Sequence, residues 1–220
     1  MNDFFVDFEK SHGQDLPRFS ASFGNEWDLY TASVAELSSR LRRSVEKLRG
    51  AEALATLVTA KRPDFMQSRL AARKQAWLGM GLFWEHNWTA DGPNISRQER
   101  ADWGRRVTGD VERYVDDLHA DGAFGLGGLI RTSGLHRRFY VFNPLGWQRS
   151  DFADILWLER DPVHVVDLTT GQETPSQVVL IPEEKTQVIR QYLRIAATDL
   201  PPVGYKAYEI RRGKGQSFPP

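Results

Sequence analysis

Apolar positions recur with two different periods along the chain, and the change falls near residue 130. Ahead of it they keep helical spacing; beyond it, β-branched and aromatic residues come in short runs cut by Pro and Gly. Residues 3 to 11 read as a short helix, followed by the irregular stretch "HGQDLPRFSASFGNEWD" with Gly13, Pro17 and Gly24 as breakers. A long helix is predicted to start near Thr31 to Ser33, with Ser33 and Glu36 as a capping box and Val34, Leu37, Leu41, Val45 and Leu48 on one stripe. Gly50 is a candidate bend before Leu54, Leu57 and Val58. Pro63 interrupts the pattern, and Asp64 with Gln67 can cap a second helix carrying Leu70, Trp77, Leu78, Leu82 and Phe83. Ser96 and Glu99 open a third, striped by Trp103, Val107, Val111, Tyr114 and Leu118.

"DGAFGLGGLIRTSG", residues 121 to 134, is dense in glycine and reads as a linker; with no strand before it and no helix after it, it is no phosphate cradle. Strands are predicted at 138–143, 151–158, 163–168, 175–181, 188–197 and 203–211. Pro144 with Gly146, Asp161-Pro162, Thr170-Gly171, Pro182 and Pro201-Pro202 mark their turns. The fold class that follows is α+β and multidomain: a three-helix bundle over 29–120, a glycine-rich linker over 121–136 and an antiparallel β-sandwich, whole or truncated, over 137–220.

Composition narrows the partners. Lys and Arg number 29 and Asp and Glu 29 in 220 residues, so no global basic field exists to recruit nucleic acid or an anionic membrane. The run Arg40, Arg42, Arg43, Lys47, Arg49 reads as the solvated face of the first long helix. With no cysteine, disulfides and thiolate zinc sites are excluded, and any metal falls to His, Asp and Glu. The N-terminus "MNDFFVDFEK" is not a signal peptide, and no apolar run approaches the ~20 residues of a membrane span. A soluble, cytoplasmic chain is expected. Accordingly the glycosylation triplets at Asn87 and Asn94 read as chance.

Among the five histidines, His164 alternates with valines on a strand and reads as a surface residue, and the His119-x-Asp121 spacing has no further ligand nearby. His86 stands apart. It extends the stripe Leu78, Leu82 by one turn, at the end of the second helix, between Trp84 and Trp88. An apolar stripe ending in an imidazole and the amide of Asn87 is unlike a packed core end; the plainer reading has the ring bonding the last helix carbonyls.

The run "LFWEHNWTADG" resembles the "F-Q-H-H-D-A-I-T-G-T" type segment of glycoside hydrolase family 38, the retaining α-mannosidases, with His86 on the second histidine and Asn87 on the aspartate. "FYVFNPLGWQR" is similar to that family's first β-domain strand and turn, and "LRIAATDLPPVGYKAYEI" to its "V-P-P-L-G-Y-x-x-Y" strand. By this resemblance His86 ligates the catalytic divalent metal, Zn2+, and Asn87 faces the hydroxyls of an α-mannoside or related oligosaccharide. Glu85 replaces the family's first histidine and Asn87 its aspartate, so Asn87 can be neither a carboxylate ligand nor a base. "GNEWDLYTASVAELSSRLRR" follows the family only loosely, and Glu26 and Asp28 take no role.

The resemblance further implies that residues 1 to 28 are the tail of a catalytic barrel that this chain lacks, and that this missing barrel is its partner. In the family the barrel supplies the nucleophile, the acid/base residue and the remaining metal ligands. Retaining hydrolysis needs two carboxyls about 5 Å apart, so the chain alone is expected to be inactive. The alternative is a non-catalytic module that binds carbohydrate or protein through exposed aromatics.

Overall fold

The computed structural model describes residues 1–20, 34–85, 95–130, 136–182 and 188–218. Among these residues four α-helices come first: α1 (Asn2–His12), α2 (Ala35–Thr59), α3 (Leu70–Phe83), preceded by a 3-10 turn at Gln67–Arg69, and α4 (Arg97–Leu129). Seven strands follow: β1 (Arg137–Asn143), β2 (Arg149–Leu156), β3 (Val163–Asp167), β4 (Glu173–Thr174), β5 (Ser176–Pro182), β6 (Ile189–Leu200) and β7 (Gly204–Arg212). No helix among the described residues is long and apolar enough to cross a membrane.

Helices α2, α3 and α4 form an up-down-up bundle. A methyl group on Gly104 would lie 3.1 Å from Leu37 and one on Gly122 3.0 Å from Leu54, so α2 and α4 run in the same direction; α3 returns between them, its Gly79 facing Val107 and Val111. Leu41, Val58, Phe83, Val111 and Leu118 are fully buried between the three, each stabilising the fold by about 1.5–3 kcal/mol relative to exposure. Helix α4 begins as its sequence predicts. Ser96 Oγ accepts from the Glu99 N–H while the Glu99 carboxylate accepts from the Ser96 N–H, at 3.2 and 2.9 Å, and these bonds hold the Glu99 carboxyl below its usual range. The cationic stripe of α2 is an interhelical seam as well as a solvated face. Arg40 forms a bidentate pair with Glu112 at 2.9 and 2.5 Å, and Lys47 meets Asp116 at 2.7 Å.

Three features of the helices differ from expectation. The glycine-rich stretch from 121 is helical as far as Leu129, not a linker. Its glycines are there for contact: Gly122 and Gly125 are buried, and Cβ atoms on them would come within 3.0 Å of Leu54 and 2.9 Å of Arg62. Small residues let two helix backbones approach, and that gain in packing outweighs the helix-breaking tendency read from composition. Gly50 does not bend α2, which is continuous; a Cβ at this position would lie 3.5 Å from the Pro144 ring of the β-region, an ordinary contact. Finally, α3 buries Ala76, Gly79, Met80 and Phe83, while Leu70, Trp77 and Leu78 point outward. Ser33 of the expected cap on α2 lies outside the described residues; Val34 occupies the N-cap and makes no side-chain cap bond.

The strands form two antiparallel sheets, ordered β1-β7-β3-β4 and β2-β6-β5. Trp157, Val165, Leu193, Ile195, Tyr208 and Ile210 pack between them, the interior of a sandwich. Alternation along β1 explains how the sandwich meets the bundle. Phe139 and Val141 point into the sandwich, whereas Tyr140 and Phe142 pack with Leu54, Val58 and Leu126 of α2 and α4. The Tyr140 hydroxyl donates to the Ala123 carbonyl at 2.6 Å, and burial pushes its pKa up.

One buried amide ties the sandwich corner together. Asn143, 1% exposed, donates through Nδ2 to the carbonyls of Trp147 (2.8 Å), Pro201 (3.0 Å) and Leu200 (3.3 Å), and its Oδ1 accepts from the Leu145 N–H at 3.1 Å. This knot joins "FNPLGW" to "LPPVGY", two stretches far apart in sequence. The second bends sharply, with Asp199 and Val203 at φ 52° and 41°, and the Val203 N–H is held by the Leu145 carbonyl at 2.9 Å.

Candidate functional site

The bundle has two different ends. The sandwich covers the C-terminal halves of α2 and α4. At the opposite end α2 begins, α3 finishes and α4 begins, with Leu37 against Gly104 and the Phe83 and Trp103 rings stacked at 6.4 Å. Along α4 this end lies about 40 Å from the Ala123 anchor, at about 1.5 Å of rise per residue.

The chain leaves α3 here and re-enters at Ile95. Helix α3 closes at Phe83, and the Glu85 N–H donates to the Leu82 carbonyl at 3.3 Å, so the helix ends ahead of His86. His86, Asn87 and Trp88 themselves lie outside the described residues. What the structure does give is the rim on either side: Trp84, 40% exposed and edge-on to Phe83 at 5.7 Å, and Ile95, 50% exposed. Between Ile95 and Arg106 lies a 330 Å³ depression lined by Glu99, Asp102, Trp103 and the side chains of Arg100 and Arg106.

Its carboxylates are occupied. Glu99 closes the helix cap, and Asp102 accepts from Gln98 at 3.0 Å and from Arg105 at 2.7 Å, bonds that hold its carboxyl below the usual range. A general acid works with a pKa raised toward neutrality; both groups are shifted the other way. This end can therefore offer an aromatic wall and directional polar contacts, with Glu99 and Asp102 already engaged by their neighbours. Among the described residues no group of three His, Asp or Glu could hold a metal ion.

The remaining histidines of interest are placed by the structure. His119 sits on α4 with its pKa lowered by burial and by Lys47, and Asp121 pairs with Arg69. His164 is not the surface residue its alternation suggests: only 19% of its side chain is exposed, and Nδ1 lies 3.1 Å from the Gly213 carbonyl, because the chain after β7 folds back across it. Glu209 is a functional-looking group that sequence reasoning misses, a buried carboxylate on β7 between Arg138 at 2.8 Å and Arg211 at 2.9 Å. Its alternation with Tyr208 and Ile210 gives no hint that a charge is covered.

No protein-family model and no curated protein matches the sequence. In structure the chain is similar to a protein in the glycosyl hydrolase family 38 from Enterococcus faecalis, with a TM-score of 0.64 at 16% sequence identity. The likeness covers 98% of this chain and 29% of that one, so the fold described above spans less than a third of that protein's length.

Proposed function

We propose that this chain is the helical and β portion of a retaining, metal-dependent glycosidase that hydrolyses α-mannosides, with His86 supplying one ligand to a divalent metal, zinc by preference, and Asn87 bonding sugar hydroxyls. The observation that carries the reading is the likeness to a glycosyl hydrolase family 38 fold over 98% of the chain. Two features of the bundle agree with it. Helix α3 closes at Phe83, three residues ahead of His86 in the sequence, and the C-terminal end of a helix favours a cation. Glu99 and Asp102 at that end are already engaged by hydrogen bonds, which fits a division of labour in which a separate barrel brings the nucleophile and the acid/base residue.

In this reading the bundle positions and the barrel reacts. His86, as a neutral imidazole, would fix the bundle against the barrel through a shared ion, so that assembling the site and joining the two bodies are one event. Asn87 offers an amide donor and acceptor to sugar hydroxyls without adding charge. Trp84 forms part of the same rim.

Hydrolysis of an aryl α-mannoside tests the proposal, measured for the chain alone, for the barrel as its own polypeptide, and for the two combined. Activity is expected only in the combination, and His86→Ala is expected to abolish it while leaving the circular dichroism of the chain unchanged. Equal activity of the wild-type and His86→Ala combinations would remove His86 from the site. An active combination that hydrolyses only β-glycosides would overturn the substrate assignment.

A further inference from the structure

A second site lies on the far side of the sandwich, on the face of the β2-β6-β5 sheet that points away from its core. Leu193, Ile195 and Ala197 of β6 are buried inside, so Arg194 and Ala196 face outward. The register sets Phe152 beside Ala196, and Asp154 and Gln177 on either side of Arg194. There a 270 Å³ pocket opens, lined by Phe152, Ser176, Gln177, Arg194, Gln216 and Phe218. The two rings come from different elements. Phe152 is an outward-facing strand residue, 70% exposed, and Phe218 arrives on the segment after β7.

That segment is held in place by specific contacts. Glu173 accepts from the Gln216 N–H at 2.6 Å, and the Pro162 carbonyl accepts from the Gly213 N–H at 2.8 Å. Gly215 passes so close that a Cβ would meet Glu173 Oε2 at 2.5 Å and His164 Cβ at 2.6 Å. The pocket wall therefore depends on a glycine at 215.

From this arrangement we infer that the outer sheet face binds a neutral oligosaccharide. Aromatic faces stack on the apolar faces of pyranose rings, and side-chain amides offer paired donors and acceptors to vicinal hydroxyls. The charge of the pocket's one lining guanidinium is cancelled: Arg194 forms two parallel bonds to Asp154, each 2.7 Å. An anionic ligand would have to displace Asp154 from the guanidinium, and a cationic one finds no carboxylate among the lining residues. At 270 Å³ the pocket is below the about 300–1,000 Å³ of drug-sized sites, a size for one sugar ring with its neighbours in solvent. The site stands apart from the bundle end, so it would hold a glycan chain rather than cleave it, and it does not depend on the reading of His86.

Titration calorimetry of the full chain with mannotriose, maltotriose and the anionic trigalacturonate, all in EDTA, is the test. Millimolar binding of at least one neutral trisaccharide is expected, weakened about tenfold or more by Phe152→Ala. That ring is exposed, and its loss leaves the core intact. Gly215→Ala, which displaces the tail and with it Phe218, is expected to weaken binding as well. Three results would overturn the inference: no neutral binding at tens of millimolar, tighter binding of trigalacturonate, or unchanged affinity in Phe152→Ala. Performed on His86→Ala, the titration separates the two proposals. Binding that survives there belongs to the sheet whatever becomes of the metal site, and binding lost there belongs to the bundle end and overturns the sheet site.

Discussion

Substituting alanine at two glycines of the same helix should shift stability in opposite directions. Gly109 and Gly122 both lie within α4, and each gains about 1 kcal/mol of helix propensity on becoming alanine. At Gly109 a new methyl meets nothing within 4 Å, so the gain should appear as about 0.5–1 kcal/mol of added stability. At Gly122 it would sit 3.0 Å from Leu54 Cβ and 3.4 Å from the Ala55 nitrogen. Neither atom can swing aside, since both are fixed to the α2 backbone, and overpacking costs about 1–3 kcal/mol. The balance is a net loss of up to about 2 kcal/mol. For a protein of this size that separates the two variants by several degrees of melting temperature, at about 2–4 °C per kcal/mol. Thermal unfolding followed by far-ultraviolet circular dichroism reads the difference. If Gly122→Ala stabilised as much as Gly109→Ala, the close approach of α2 and α4 would not be the reason for the glycine.

Other consequences concern the sandwich. Asn143→Ala leaves three carbonyls and one N–H without their buried partner, and urea denaturation should show a loss of about 2–3 kcal/mol or more; a change under about 0.5 kcal/mol would mean that water replaces the amide. Tyr208 is buried, with no partner for its hydroxyl among the described residues, and burial, then Asp167, pushes its pKa up to about 12. An acid whose folded pKa is raised stabilises fully below its unfolded pKa of about 10 and loses that contribution as pH rises through the folded value. The loss of stability between these limits should therefore be smaller in Tyr208→Phe, with little cost at neutral pH; an alkaline limb identical to wild type would mean that the phenol titrates freely. Glu209 has the opposite sign. Arg138 and then Arg211 hold its carboxyl below the usual range, so its contribution is complete above the ordinary glutamate pKa of about 4.3 and is lost as pH falls through the lowered value. Glu209→Gln should flatten the acid limb of the stability curve, and an unchanged limb would discount the pairing.

What is legible in the sequence follows physical lines. Six strands can be read because Pro and Gly punctuate them and alternation sets their faces, and α4 announces its start through Ser96 and Glu99. Glycine misleads in two places, at 50 and from 121 onward. Composition registers its flexibility but not the neighbour that needs the space. Helix α3 suggests the wrong face since it is apolar nearly all round: large Leu70, Trp77 and Leu78 look like a core stripe, yet the tight crossing with α4 selects small Ala76 and Gly79. The pocket bearing Phe152 is invisible to any local pattern because it joins β2, β5, β6 and the tail. The candidate metal ligand is legible only through resemblance, as a single histidine carries no spacing.

Whether His86 holds a metal completed by other residues can be measured in crystals of the chain assembled with its barrel, grown with zinc and measured at the zinc absorption edge. An anomalous peak about 2.0–2.1 Å from a ring nitrogen of His86 is predicted. A zinc peak ligated only by barrel residues, with the His86 imidazole bonded to main-chain carbonyls of α3, would contradict it.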